Sequence, residues 1–405
     1  MDSCPLTQPG RSTDINNKSS ALSKRIERVP SSFMFEFADK IRRMESSGQV
    51  IDLSLGQPDA PAPRHIPEAL QRSLNTPITS YSSSAGSMDL RNLIADRYSE
   101  ESRVSTDPSE IVITAGSKHA LFISLLSILD QGDEVLTHEP YFPAYAEIAG
   151  LVGAVLKTVP ISNDANRLKL DLNSLFSSVT SKTKMILVNY PNNPAGWTLT
   201  SEEVKKLAEF CSDKGIFLVS DEIYDKIVFD GLRHCHSWTY SKDTDRIIGL
   251  GSFSKTYSMV PYRLGYIVAK TVAIRDILKA QRATVTMVSP YVQSAGVAAL
   301  SGPQDFVKAR LEKYQERRDT YVRMLRNDGI PVPKPDGAFY LFVKMPDGTD
   351  VLKFATNFLE QERVAVLPGA IFGRRWENYV RISIATEDAS LHEGMEKFQQ
   401  AYPSF

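Results

Sequence analysis

Lys255 stands in the run Gly251-Ser252-Phe253-Ser254-Lys255-Thr256-Tyr257, directly after the apolar stretch Ile247-Ile248-Gly249-Leu250. A lysine on a loop leaving a buried strand loses water, which lowers its pKa and frees its amine to act as a nucleophile. The chemistry this suits is Schiff-base formation with a carbonyl. Ser-x-x-Lys alone more often marks an ordinary surface loop, so the weight falls on its companions. Asp221, in Ser220-Asp221-Glu222-Ile223-Tyr224, is a carboxylate at the end of an apolar strand, costly there unless it meets a cation. A helix N-cap would use the same residue type, and Tyr224 could simply pack in a core. Asn193 lies in Asn189-Tyr190-Pro191-Asn192-Asn193-Pro194-Ala195-Gly196, where two prolines and a glycine shape a turn and aim one amide inward; an Asn satisfying its own backbone is the alternative. Arg381, in Tyr379-Val380-Arg381-Ile382-Ser383, is an arginine within an apolar strand. A lone buried cation demands an anion, either a ligand or a structural partner.

Strands must hold these residues in place. From about Ile111 to Val268 short β-rich apolar runs alternate with helical patterns, the signature of βαβ units and a largely parallel sheet. Strands are predicted at Ile111–Ile113, Glu134–Leu136, Met185–Val188, Phe217–Val219 and Ile247–Ile248. A helix is predicted to begin at Thr200, whose hydroxyl caps the first turn while Glu203 reaches back, and to end at Gly215. Ligands of open α/β sheets collect at the carboxyl ends of strands, where Asn189 and Asp221 fall. Ala115-Gly116-Ser117-Lys118 lies between a strand and a helix, so its free N–H groups and the positive helix end would face an anion, a plain helix cap being the other reading. Farther on, a helix around Gln304 to Asn327 and strand-like runs at Phe339–Val343 and Tyr379–Ser383 suggest a smaller α+β unit, with a boundary near Val285 to Gln293. The division expected is a disordered tail over residues 1–24, a small domain of 25–59 and 294–405, and a large α/β domain of 60–293.

With 405 residues, 42% of them hydrophobic, the chain exceeds what one core usually serves. A net charge of −1 and a pI near 6.6 leave no basic field to hold nucleic acid or an anionic membrane; the partner is expected to be a small molecule. Cys4, Cys211 and Cys235 are widely spaced and form no Cys-x-x-Cys pair, which argues against a disulfide framework or a metal site and for a reducing, cytoplasmic setting. Met1 to Lys24 is polar and lacks the apolar run of a signal peptide or anchor; Asp2 and Asp14 are acidic where transit peptides are acid-poor.

Taken together and in this order, over about residues 28 to 400, these motifs resemble the class I/II aminotransferases, enzymes of fold type I that use pyridoxal 5′-phosphate (PLP). The resemblance implies an α/β fold with a mostly parallel central sheet in the large domain beside a smaller α+β domain. It implies that Lys255 binds PLP as a Schiff base and moves the α-proton, and that Asp221 pairs with the protonated pyridine nitrogen. Tyr224 and Asn193 would bond the 3′-oxygen, the family motif Asn-x-Pro-x-Asn-Pro-Thr-Gly carrying Ala195 in place of Thr. Phe142, in Glu139-Pro140-Tyr141-Phe142-Pro143, would stack on the ring, although an aromatic after a strand is often core. Gly116, Ser117, Lys118, Ser252 and Arg263 would hold the phosphate. Tyr81 matches a tyrosine that reaches the phosphate of a neighbouring subunit, which implies a homodimer. Gly56, in Leu53-Ser54-Leu55-Gly56-Gln57-Pro58-Asp59, would leave room for a substrate carboxylate bound by Arg381 and Asn193.

Two departures bear on the substrate. Val260-Pro261-Tyr262-Arg263 replaces the usual Thr-Gly-Trp-Arg, and Ser32-Phe33-Met34-Phe35-Glu36 occupies the segment that covers the substrate side chain. Phe33 and Glu36 there point away from a dicarboxylate and toward an aromatic, aliphatic or basic L-amino acid that passes its amino group to a 2-oxo acid. The alternative is a lyase or cyclase of the same fold, eliminating at the β or γ carbon, closing 1-aminocyclopropane-1-carboxylate, or forming a ring from arginine. A PLP-sensing regulator is disfavoured, because the N-terminal segment is too short and polar for a DNA-binding domain.

Overall fold

A computed structural model describes residues 23–30, 33–78, 80–164 and 167–402. The tail expected over residues 1–24 lies outside them except for Ser23 and Lys24, where a short helix, Lys24–Glu27, begins.

In chain order the strands are β1 (Ile51–Asp52), β2 (Ile111–Thr114), β3 (Glu134–Glu139), β4 (Val155–Pro160), the hairpin β5 (Ser162–Asp164) and β6 (Arg167–Lys169), then β7 (Thr183–Asn189), β8 (Phe217–Asp221), β9 (Ile247–Ser252) and β10 (Gly265–Ala269). After a helical stretch come β11 (Tyr340–Lys344), β12 (Val364–Ala365), β13 (Leu367–Pro368) and β14 (Tyr379–Ser383). The main sheet has the order β2-β10-β9-β8-β7-β3-β4. All its pairings are parallel except those of β10, which runs against both neighbours. Its inner strands are buried nearly throughout, as expected where helices cover both faces, while the edge strand β4 alternates between exposed positions and half-buried or buried ones. The five predicted strands all fall within observed ones.

The helix Ser201–Lys214 carries the anticipated start and stop. Thr200 accepts from the Glu203 N–H, the Glu203 carboxylate accepts in return from the Thr200 N–H, and Gly215 ends the helix at φ +66°. That helix returns the chain so that β8 lies in register beside β7. Asn189 pairs with Asp221, and Asp221 with Leu250. Asn189, Asp221 and Leu250 therefore lie level, with β9 running two residues further, and the loops that follow the three strands converge.

The smaller sheet, β11-β14-β13, is antiparallel and has its own apolar cluster, with Phe354, Phe358 and Phe398 fully buried; burying each such ring stabilises by roughly 1.5–3 kcal/mol. β1 joins β12 in parallel, Ile51 beside Val364, and the Ser383 N–H donates to the Leu53 carbonyl. Leu53 and Ser54, early in the chain, are thereby laid against strand β14. Helix Pro290–Ser301 packs back on helices His65–Leu74 and Met88–Ser102. Among the described residues no helix is long and apolar enough to cross a membrane.

Candidate active site

At the level ends of β7, β8 and β9, polar side chains that would be costly elsewhere in the core face one cavity of about 380 Å³. Asn189 acts as a junction: its amide donates to the Asp221 carbonyl at 2.9 Å, and its Oδ1 accepts from the Asn193 N–H at 2.8 Å. This fixes the turn that carries Asn193. Asp221 is buried, with Oδ2 accepting from the Tyr145 hydroxyl at 2.7 Å and Oδ1 without a hydrogen-bond partner among the described residues. Burial pushes its carboxyl up to about 6, opposed in part by Tyr145 and the Ile223 backbone. A buried carboxyl oxygen left without a donor suits an incoming cationic N–H, which would favour its ionised form.

Lys255 is half-buried in the wall of the same cavity and donates to the Gly56 carbonyl. Burial, then the positive charges of Arg381 and Arg263, lower its amine to about 8, with Asp221 pulling the other way. Neutral amine is thus accessible close to physiological pH. Gly116 caps the helix Ser117–Ile128 at φ +81°, and a Cβ there would lie 2.4 Å from Arg263 Nη2. Only glycine lets this guanidinium lie over the helix start, where the N–H groups of Ser117, Lys118 and His119 precede the first intrahelical bond, Ala120 N–H to Gly116 carbonyl. The combination is an anion cradle.

Opposite, Arg381 reaches in from β14. It donates to Asn193 Oδ1 at 2.8 Å and to the Ser54 carbonyl at 2.5 Å, while its Nε is buried without a partner. Among the described residues no carboxylate lies within ion-pair distance of it, although it is only 2% exposed. Its charge awaits an anion. Gly56 lies where a Cβ would sit 2.6 Å from the Tyr340 hydroxyl, and Tyr224 shares a 2.8 Å hydrogen bond with that same hydroxyl.

Lys255, Asp221, Tyr224, Asn193, Phe142, Ser117, Lys118, Arg263, Gly56 and Arg381 all line the one cavity, and Gly116 lies beneath Arg263. Lys118 is placed differently from expectation: its ammonium, half out in solvent, is held by Glu147 at 2.8 Å and lies over the Phe35 ring. Ser254 forms the wall that Ser252 was expected to form, and the Ser252 hydroxyl instead accepts from the Ser254 N–H. Tyr81 is 84% exposed and does not line the cavity of its own chain. Phe33 and Glu36 are not at the cavity either. Phe33 shares a helix face with buried Phe37 and stacks on it, Glu36 is exposed, and the helix Phe33–Glu45 presents Met34, Phe35 and Ala38 instead. The residues overlooked in the sequence are Tyr145, Ser54 and Tyr340. Tyr145 and Tyr340 look like core aromatics in a linear reading, and nothing local marks them.

A phosphorylated pyridine aldehyde fits this donor set at each end: an unpartnered carboxylate oxygen for its ring nitrogen, a lysine for its carbonyl, and the Gly116–Arg263 cradle for its phosphate. Comparison with known proteins agrees. Residues 48–398 match the family aminotransferase class I and II. The chain is similar to an aspartate aminotransferase of Pyrococcus horikoshii, 34% identical over 94% of this chain and 97% of the relative. It is likewise similar to a probable aspartate/prephenate aminotransferase of Aquifex aeolicus, 36% identical over 94% and 98%. The crystal structure of an aromatic aminotransferase from Pyrococcus horikoshii superposes with a TM-score of 0.84 at 33% identity, covering 90% of this chain and 98% of the other.

Proposed function

Because this chain belongs to the aminotransferase class I and II family and is a PLP-dependent aminotransferase of fold type I, we propose that Lys255 carries the cofactor as a Schiff base. We further propose that the cavity takes an L-amino acid with an apolar side chain and passes its amino group to a 2-oxo acid. When bound, PLP supplies an electron sink for charge developing at the substrate α-carbon. Asp221 Oδ1 would hold the ring nitrogen protonated, Tyr224 and Asn193 would serve the 3′-oxygen, and Gly116, Ser117 and Arg263 would take the phosphate. Arg381 binds the α-carboxylate through its free Nε edge, oriented by Asn193. The Lys255 amine, once freed by the substrate's own amine, would accept the α-proton and return it as an acid.

The observation that carries this reading is the meeting, in one cavity, of a half-buried lysine with, among the described residues, a carboxylate oxygen that has no donor and an arginine that has no carboxylate. The apolar choice of substrate is supported by Met34, Phe35, Ala38, Leu55, Ile223 and Leu367 along the wall. Among the described residues a basic side chain finds only Asp221 as a lining carboxylate, and that one is assigned to the cofactor. One observation favours a second substrate class. Lys118 is the lining cation left over from the other assignments, and release from Glu147 would let it meet the far carboxylate of an aspartate-like donor, the substrate named for two relatives. The exposed Tyr81 supports a homodimer in which it serves the partner's phosphate. The free thiols of Cys211 and Cys235 support a cytoplasmic setting.

The test is a set of absorbance spectra of the purified holoenzyme with a panel of amino acids, before and after 2-oxoglutarate or pyruvate. Phenylalanine or leucine converting the cofactor to its amine form, with reversal by the oxo acid, supports the apolar reading. Response to aspartate alone, abolished in Lys118→Ala, replaces it with the acidic one. Turnover without an oxo acid would overturn the transamination assignment.

A further inference from the structure

We propose that Tyr340 is a positioning residue of this site, its ring setting the plane of the Arg381 guanidinium and its hydroxyl donating to Tyr224 so that Tyr224 aims its own O–H into the cavity. The role presupposes Lys255, Tyr224 and Arg381 acting as proposed above. Tyr340 opens β11 opposite Ser383, two positions from the pair Phe342–Arg381, and is 1% exposed. Its ring lies 4.3 Å from the guanidinium carbon of Arg381, with Phe372 at 5.0 Å from the same carbon. Asn193 and Ser54 hold two guanidinium nitrogens, and the rings hold the plane, so the unpartnered Nε edge is left with one direction to face. That direction decides where a carboxylate can bind.

The hydroxyl has a second effect. The hydroxyls of Tyr340 and Tyr224 are 2.8 Å apart, and among the described residues neither has another hydrogen-bond partner. Only one proton fits between them. If Tyr340 donates it, the Tyr224 proton is directed elsewhere, toward the cavity that both side chains line. The Tyr340 oxygen also fills the space a side chain at position 56 would need, beside the Gly56 carbonyl that accepts from Lys255. A ring that merely filled the core would need neither the hydroxyl nor the stacked arginine.

Three holoenzyme variants, Y340F, Y340L and Y224F, with the double variant Y340F/Y224F, separate the two effects. The readouts are the pH midpoint of the cofactor's absorbance change and the binding of 3-phenylpropionate, which carries a carboxylate and an apolar tail but no amine. A donor to the 3′-oxygen favours its more negative form, so Y340F and Y224F should each raise the midpoint, by about one pH unit, and the double variant should raise it no further. Y340L should weaken 3-phenylpropionate binding about tenfold relative to Y340F, the size expected for a desolvated cation over a ring. An unmoved midpoint in Y340F, additive shifts in the double variant, or equal binding by Y340L and Y340F overturns the role; should Y340L fail to fold, the midpoint cycle alone decides. Absorbance of the lysine-bound cofactor persisting in Lys255→Ala would instead overturn the underlying assignment of Lys255.

Discussion

Asp221 and Glu222 are adjacent buried carboxylates with opposite environments. Asp221 faces the cavity with one oxygen unpartnered, and burial drives its carboxyl up to about 6. Glu222 faces the other way. It accepts from His236 Nδ1, from the Ser237 N–H at 2.9 Å and the Ser237 hydroxyl at 2.8 Å, and His234 Nε2 lies 3.3 Å away. Burial also pushes Glu222 upward, but the charge of His236 and the hydrogen bonds of both histidines outweigh it and hold the carboxyl well below its usual range. His236 answers in kind: despite burial, Glu222 together with Glu101 holds it up at about 9, bridged between them. One carboxylate is kept ionised by its own protein, and its neighbour is left for something else to ionise. A buried charge that is fully partnered builds structure, whereas one left unpartnered marks a site.

Breaking the partnered side should cost most in stability. Glu222→Gln leaves His236 short of a counter-charge and should lower the unfolding free energy by about 3–5 kcal/mol, read from chemical denaturation at neutral pH. The same network has a defined pH window. The Glu222 contribution should be lost as pH falls below the ordinary glutamate range, and the His236 contribution, complete below its ordinary value of 6.5, should be lost as pH rises through about 9.

Asp221→Asn should do the reverse. Because the folded-state pKa of Asp221 is raised, its neutral form is the favoured one, and stability is lost as pH rises through about 6. The cofactor-free variant should therefore be more stable than the parent at pH 7, by up to roughly 3 kcal/mol, while kcat of the loaded enzyme falls roughly 10²–10³-fold. Equal stability of the two cofactor-free proteins across pH 4 to 8 would remove the contrast between the carboxylates.

Smaller changes sharpen it. Tyr145→Phe withdraws the one hydroxyl donor to Asp221 and should raise the pH below which PLP is released by about one to two units, measured by cofactor retention after gel filtration across pH. Thr200→Ala touches neither carboxylate and should cost about 1 kcal/mol through loss of the cap, with no movement in that retention profile.

The legible parts of this protein share one property: their meaning is local. Apolar runs flanked by turn residues located β2, β3, β7, β8 and β9, and the Thr200–Glu203 pair with Gly215 located a helix, because strand burial and helix capping are settled within a few residues. Asn193, Asp221 and Lys255 sit at or a few residues past the ends of such strands, so finding the strands placed them at one edge. Phe33 and Glu36 misled because segment membership was readable but helix phase was not; a one-residue difference separates Met34 and Phe35 from their neighbours.

From the sequence by itself came the fold class, the family resemblance and the residues that could hold PLP. Tertiary structure alone decided what each charged group meets. Tyr145 lies against Asp221, Tyr340 beneath Arg381, Gly56 beside Lys255 and His236 between two carboxylates, each contact joining distant stretches of chain. The physical reason is range. Propensity and capping act over a turn or two of backbone, but burial, charge balance and the direction of a single proton depend on whichever side chains close packing brings within about 4 Å.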